Sequence, residues 1–378
     1  MKYIFTDLYE NFECVGGQCP DSCCKDWVIE IDSDTYHRYE QLDEPMKSLI
    51  CTNIINEGNK YKIKLNDNGH CPFWNKDHLC DICLNVSPDY LSYTCENYPR
   101  RFVTCLETIS VTTMLSCPEA ARMIIQRDKP LQISIIDDGT KTNPESPDWL
   151  RYNIVVNGLT GNMSILQDSS VALKSRIMAV LDLNMYVDKV LGEKKNPTRA
   201  VEDIKRFVKK WKNEKKYFSN SFLNENVSGV WAFIYSIFDI VYNLPYDEDR
   251  KSFLGQYLKI PKNDEEEYKR LKARLRSLDP DIMDENILVN FLFGQYLQGY
   301  KEGTLLKFSI KAILYLATIT MMRVIAIKEE RYNTIDEQML VVSKASKFFE
   351  NSNVFDSFAN SILETNSEDK LMQLICLL

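Results

Sequence analysis

The chain is poor in histidine, has no excess of basic charge and contains no apolar run of membrane length. Only 3 His (His37, His70 and His78) occur in 378 residues, which leaves little nitrogen for metal ligation or general-base chemistry. Lys and Arg number 46 against 54 Asp and Glu, a formal net charge of −8. Nucleic-acid binding rests on cationic patches that displace counterions, so no nucleic-acid partner is expected. The longest apolar run, residues 312–322, stands between Lys311 and Arg323. It falls short of the roughly 20 residues a spanning helix needs, so no membrane association is expected. The opening residues, MKYIFTDLYENFEC, lack a basic start followed by an apolar stretch, so no secretory signal is expected and the reading is a cytoplasmic protein. P-loop and HExxH motifs are missing as well. The nearest Gly-rich candidate, residues 157–162 (NGLTGN), has no GxG core and reads as a turn following residues 152–156.

What the chain does have is sulfur. Of 12 Cys, all but Cys376 lie between Cys14 and Cys117. Charge is uneven in the same way, with 13 basic and 20 acidic residues up to residue 130 and 33 against 34 after it. An acidic, cysteine-dense segment is therefore followed by a nearly neutral one. In a reducing compartment such cysteines stay thiols. The isolated Cys51, Cys105 and Cys376 read as buried structural thiols, because free cysteine packs as a small hydrophobe. GQCPDSCC (Cys19, Cys23, Cys24) and LCDIC (Cys80, Cys83) place soft sulfurs on single turns, the local geometry a thiophilic ion needs. With so few histidines, an all-sulfur or nearly all-sulfur metal or iron–sulfur site is expected. The spacing of a radical-type iron–sulfur motif is not met, since Asp26 occupies the third cysteine position. His78 lies two residues from Cys80, and metal ligation explains both better than a Cys–His nucleophile does.

The pattern predicts a mainly α fold: a cysteine-rich metal- or cluster-binding region with short strands (1–136), packed on a helical domain (149–378). Asp32 and Ser33 cap a helix carrying Tyr36, Tyr39 and Leu42. Residues 60–65 alternate as a strand and 66–69 form its turn. Ser87 and Pro88 start a helix that Pro99 ends, with Cys95 near its last turn. Residues 108–116 read as a strand, and Cys117 caps the helix that follows Pro118. Residues 137–148 are the linker. Apolar faces at Val227 to Val241, at Ile287 to Tyr300 before Gly303, and at Phe355, Phe358 and Ile362 predict helices, with residues 312–327 as the central one.

GGQCPDSCCKDWVIEID, CPFW, LC, LSYTCENYPR and LSCPEAAR occur in that order between residues 14 and 125. They strongly resemble the bacterial flagellin lysine-N-methylases and, more widely, small cysteine-cluster proteins. The resemblance implies methyl transfer from S-adenosylmethionine to lysines of a flagellin partner, with a cysteine-held [4Fe–4S] cluster. Its recurring cysteines map onto Cys19, Cys23, Cys24, Cys71, Cys80, Cys95 and Cys117, and Cys83 stands outside the usual pattern. A [4Fe–4S] cluster takes four thiolates, so some of the seven are structural. Trp27, Asp32, Tyr98, Pro99 and Arg100 match too. Arg100 or Arg101, beside Tyr98, suits the carboxylate of the methyl donor. Acidic residues and Tyr90, Tyr93 and Tyr98 suit a cationic substrate. No residue is assigned the chemical step. Two other classes stay open: a zinc- or cluster-stabilised interaction module without chemistry, and an iron–sulfur redox or sensor protein.

Overall fold

A computed structural model describes residues 2–25, 27–58, 60–137, 139, 147–193, 197–214, 239, 243, 255, 265–279, 281–350, 354–365, 371–372, 374–375 and 378. Most of the expected linker at 137–148, nearly all of the expected helix at 227–241, and Cys376 lie outside the described residues.

The strands are β1 (Lys2–Thr6), β2 (Glu30–Ile31), β3 (Ile54–Asn56), β4 (Tyr61–Ile63), β5 (Arg100–Cys105), β6 (Thr108–Thr113) and β7 (Ile133–Asp137). They form a four-stranded sheet, β5-β6-β1-β7, and a three-stranded one, β2-β4-β3. In the larger sheet β1 runs parallel to β6 and antiparallel to β7. Short helices fill the same region: α1 (Asp7–Glu10), α2 (Ser33–Glu40), α3 (Met46–Cys51), α4 (Asp81–Asn85), α5 (Tyr93–Asn97) and α6 (Pro118–Ile125). Long helices follow: α7 (Pro147–Leu166), α8 (Leu173–Gly192), α9 (Pro197–Glu214), α10 (Glu265–Leu278), α11 (Asp281–Gln295), the short α12 (Gly299–Glu302), α13 (Leu306–Lys328), α14 (Ile335–Glu350) and α15 (Val354–Glu364). The fold is mainly helical with short N-terminal strands, as expected from the pattern.

Local chemistry explains most boundaries. Asp32 caps α2, its Oδ1 accepting from the Thr35 N–H at 2.9 Å. Gly303, at φ 78°, ends α12 in the left-handed conformation that glycine adopts without steric cost. The helix expected between Ser87 and Pro99 is two pieces. Ser87 caps a single 3₁₀ turn, Pro88–Tyr90, and Ser92 then starts α5, its hydroxyl accepting from the Cys95 N–H at 3.3 Å. The expected turn at 157–162 is corrected more strongly, because those residues lie inside α7. Their glycines serve close packing: a Cβ on Gly158 would meet the Tyr296 hydroxyl at 2.5 Å, and one on Gly161 would meet Leu183 at 3.0 Å.

Helix α13 has 23 residues, long and apolar enough to cross a membrane, yet its apolar window is wholly buried inside the protein. Two charged residues within it are paired, Lys311 with Asp356 at 3.0 Å and Arg323 with Asp279 at 2.8 Å. The main apolar core gathers α13 with β1, α1, α6 and the long helices. A smaller core (Ile29, Ile31, Tyr39, Ile50, Ile63, Phe73 and Ile82, with Cys71) lies under the cysteine-bearing loops.

Candidate functional site

Four short stretches deliver the cysteines. Cys14 and Cys19 flank a 3₁₀ turn, Gly16–Gln18, and Cys23 and Cys24 follow on the next turn. The Cys71 N–H donates to the Cys24 carbonyl at 2.7 Å, stitching CPFW to GQCPDSCC. An isolated bridge pairs Trp74 with Cys80, which sits just before α4, and Cys83 is one helical turn further on. Cys95 lies in the first turn of α5, and Cys117 occupies the position before α6. Trp27 braces the arrangement by donating its indole N–H to the Cys23 carbonyl at 2.7 Å.

These stretches enclose one cavity of about 320 Å³. Its walls carry all seven cysteines expected from the sequence, together with Cys14 and Cys83, whereas Cys51 and Cys105 lie elsewhere. Apolar wall residues include Phe12, Trp27, Phe73 and Ile82, and His78 also faces the space. The described cysteines are free thiols. Ordinary core packing would press thiols against apolar neighbours, but here nine of them surround an open volume. Among the described residues no three His, Cys, Asp or Glu side chains close on a single metal-ion position.

Electrostatics separates the thiols. Burial, with repulsion from neighbouring cysteines, pushes Cys83 to about 12, Cys95 to about 11 and Cys117 to about 12, and it raises Cys71 further. Cys23 is raised well above the usual value, chiefly because its thiol donates to Cys24, with burial adding to the effect. Cys24 moves the other way, to about 7, held by that bond from Cys23 against burial and helped by Ser22 and Lys347. The Lys347 ammonium on α14 lies 2.6 Å from Asp21 Oδ2 and 3.3 Å from the Ser22 carbonyl. Nothing in the local sequence around residue 347 signals that role.

The three residues expected at a methyl donor do not converge. Tyr98 lines the thiol cavity, and its hydroxyl donates to Ser116 Oγ at 3.1 Å. The Arg100 guanidinium lies over the Phe12 ring, 5.2 Å from its centroid. Arg101 points to the opposite face of β5 and lines a second, polar cavity of about 650 Å³. Alternation along the strand accounts for the split. Tyr90 and Tyr93 are not in the wall of the thiol cavity, and Tyr93 is 58% exposed. The buried carboxylate of Glu350, in the polar cavity, accepts from the N–H groups of Leu115 and Ser116 at 3.1 and 3.0 Å and from the Tyr315 hydroxyl at 2.8 Å. Burial raises its pKa above the usual carboxylate value despite those bonds.

Fold and site define a largely helical protein with a thiol-lined cavity built on its N-terminal loops. The family model of the FliB lysine N-methylase C-terminal domain matches residues 162–377, and the chain belongs to that family. It is 27% identical over 189 residues to the lysine-N-methylases of Salmonella choleraesuis (strain SC-B67) and Salmonella typhimurium, covering 47% of this chain and 46% of each relative. The chain thus spans about half the length of these curated relatives. It is also 32% identical over 121 residues to the flagellar biosynthetic protein FliU of Salmonella muenchen, covering 30% of this chain and 72% of that protein. No solved structure matches the chain. The family match falls on the helical half, where the sequence offered no recognisable motif.

Proposed function

We propose that this protein transfers methyl groups from S-adenosylmethionine to lysine side chains of flagellin, and that its thiol cavity holds a [4Fe–4S] cluster. Membership of the FliB lysine N-methylase family carries this reading, and the lysine-N-methylase and FliU relatives support it. The donor set fits a thiophilic group: it is almost wholly sulfur, it is uncharged while protonated, and it surrounds a volume of about 320 Å³ with room for a polynuclear centre. Cys19, Cys23, Cys24, Cys71, Cys80, Cys95 and Cys117 are the residues proposed to supply its four thiolates. When bound, such a cluster supplies Lewis-acidic iron and ties together loops that otherwise have only a small core.

The chain's own residues bear on one further need of lysine methylation, the exclusion of water. The reacting amine must lose a proton, be kept from water and be aligned with the donor methyl. Phe12, Trp27, Phe73 and Ile82 give the thiol cavity an apolar wall, where Trp27 and Tyr98 pack on each other with ring centroids 5.4 Å apart. The site of action is proposed to be the cytoplasm, where the thiols stay reduced.

The test is anaerobic purification followed by iron, sulfide and zinc analysis. A brown protein with iron and sulfide supports the cluster. A colourless, zinc-loaded protein replaces it with zinc and favours the interaction-module reading.

A further inference from the structure

Arg101 differs from the other described cations lining the polar cavity. Its stem passes Gly294, where an added Cβ would stand 3.8 Å from Arg101 Cδ and 2.6 Å from Thr112 Cγ2, so the glycine lets the helix pack closely on the sheet there. The guanidinium reaches the polar cavity without a hydrogen bond or an ion pair among the described residues. Burial accordingly lowers its pKa, offset only by the more distant charge of Glu350. The other cations there are matched. Lys307 lies 3.0 Å from Glu302 and 2.9 Å from Asp356, and Lys311 lies 3.0 Å from Asp356. Glu350 is already engaged by two backbone N–H groups and Tyr315. One guanidinium fork lining the cavity is therefore left without a hydrogen-bonded anion, and its planar geometry suits a carboxylate in bidentate contact.

We propose that this cavity binds the α-amino-acid end of a small ligand, with its carboxylate on Arg101. Resting on the methylase reading above, the ligand is the methionyl end of the S-adenosyl donor. The volume of about 650 Å³ suits a molecule of that size. Gln298 supplies a polar edge and Phe349 an apolar one. Ser116 links the two cavities: its N–H donates to Glu350 in this one, and its hydroxyl accepts from Tyr98 in the wall of the other.

Titration calorimetry of the anaerobically purified full chain with S-adenosylhomocysteine tests this without relying on turnover. Arg101→Met should weaken binding about tenfold or more, the loss expected when a charge-assisted contact is removed. Arg100→Met, whose guanidinium lies over Phe12, should bind as the parent does. Ser357→Trp, at the exposed rim of the same cavity, should also weaken binding and guards against a fold defect in the Arg101 variant. Helical circular dichroism and iron content should be unchanged in all three. Tight binding that survives both Arg101→Met and Ser357→Trp would overturn the cavity assignment and leave the methylase reading intact. A parent protein that binds no S-adenosylhomocysteine would overturn both.

Discussion

Lys347 and Glu350, one turn apart on α14, reach the two cavities separately: Lys347 lies 2.6 Å from Asp21 in the thiol loop, and Glu350 accepts from the backbone of residues 115 and 116. A single helix of the family-matched half thus fixes the walls of both sites. Lys347 and Asp21 are about nine-tenths buried, and the contacts of Lys347 and Lys25 hold the Asp21 carboxyl below its usual pKa although burial pushes it up. Lys347→Met should destabilise the protein by about 1–3 kcal/mol, less than a fully orphaned buried charge costs, because Lys25 remains 3.1 Å from Asp21. Urea midpoints measure this. The Asp21→Asn, Lys347→Met double variant should lose less than the sum of the singles.

Metal content should follow the cavity wall. Cys95→Ala and Cys23→Ala should lower bound iron and soluble yield, since metal ligation contributes folding energy. Cys51→Ala, outside the cavity, should change neither. Iron analysis of the three variants decides it, and equal content in all would remove the cluster from this cavity.

Arg323 is 1% exposed and bridges Asp279 at 2.8 Å and Asp284 at 2.5 Å, with the Tyr332 hydroxyl also donating to Asp279. Arg323→Met leaves Asp279 buried and uncompensated, and should cost about 3–5 kcal/mol. Arg323→Lys should recover part of that charge but not the fork geometry. Denaturant unfolding reads both.

Asp356 gives a pH signature. Burial pushes its carboxyl up, but hydrogen bonds and charge from Lys307 and Lys311 outweigh this and hold it below the ordinary value of 3.8. Its contribution is therefore present above that value and is lost as pH falls through the lower folded one. Asp356→Asn should cost at most about 1 kcal/mol at neutral pH, because the pair is partly exposed. The difference from the parent should vanish in strong acid. A gap that widens on acidification would contradict the pairing.

The thiol site was legible because its residues carry chemistry in short spacings. GQCPDSCC and LCDIC need no tertiary information to suggest a soft ligand set, and the Asp32 cap and the apolar α13 were equally local signals. Residues 157–162 misled because glycine and asparagine favour turns, while the deciding force was packing against Tyr296 and Leu183, far away in sequence. The polar cavity had no linear signature. Arg101, Gln298, Lys311, Glu350 and Asp356 come from a strand and separate helical segments, and only the tertiary fold leaves one of their cations without an anion.

Intact-protein mass spectrometry gives the direct readout of methyl transfer to flagellin. Iron-loaded protein, the flagellin of its own organism and a methyl-deuterated S-adenosyl donor are incubated together, and the modified lysines are located by fragmentation. Deuterated methyl increments should appear on flagellin lysines, with free lysine left nearly untouched because remote contacts with a protein substrate position the amine. Unmodified flagellin after incubation with fully loaded protein that binds the donor would contradict it.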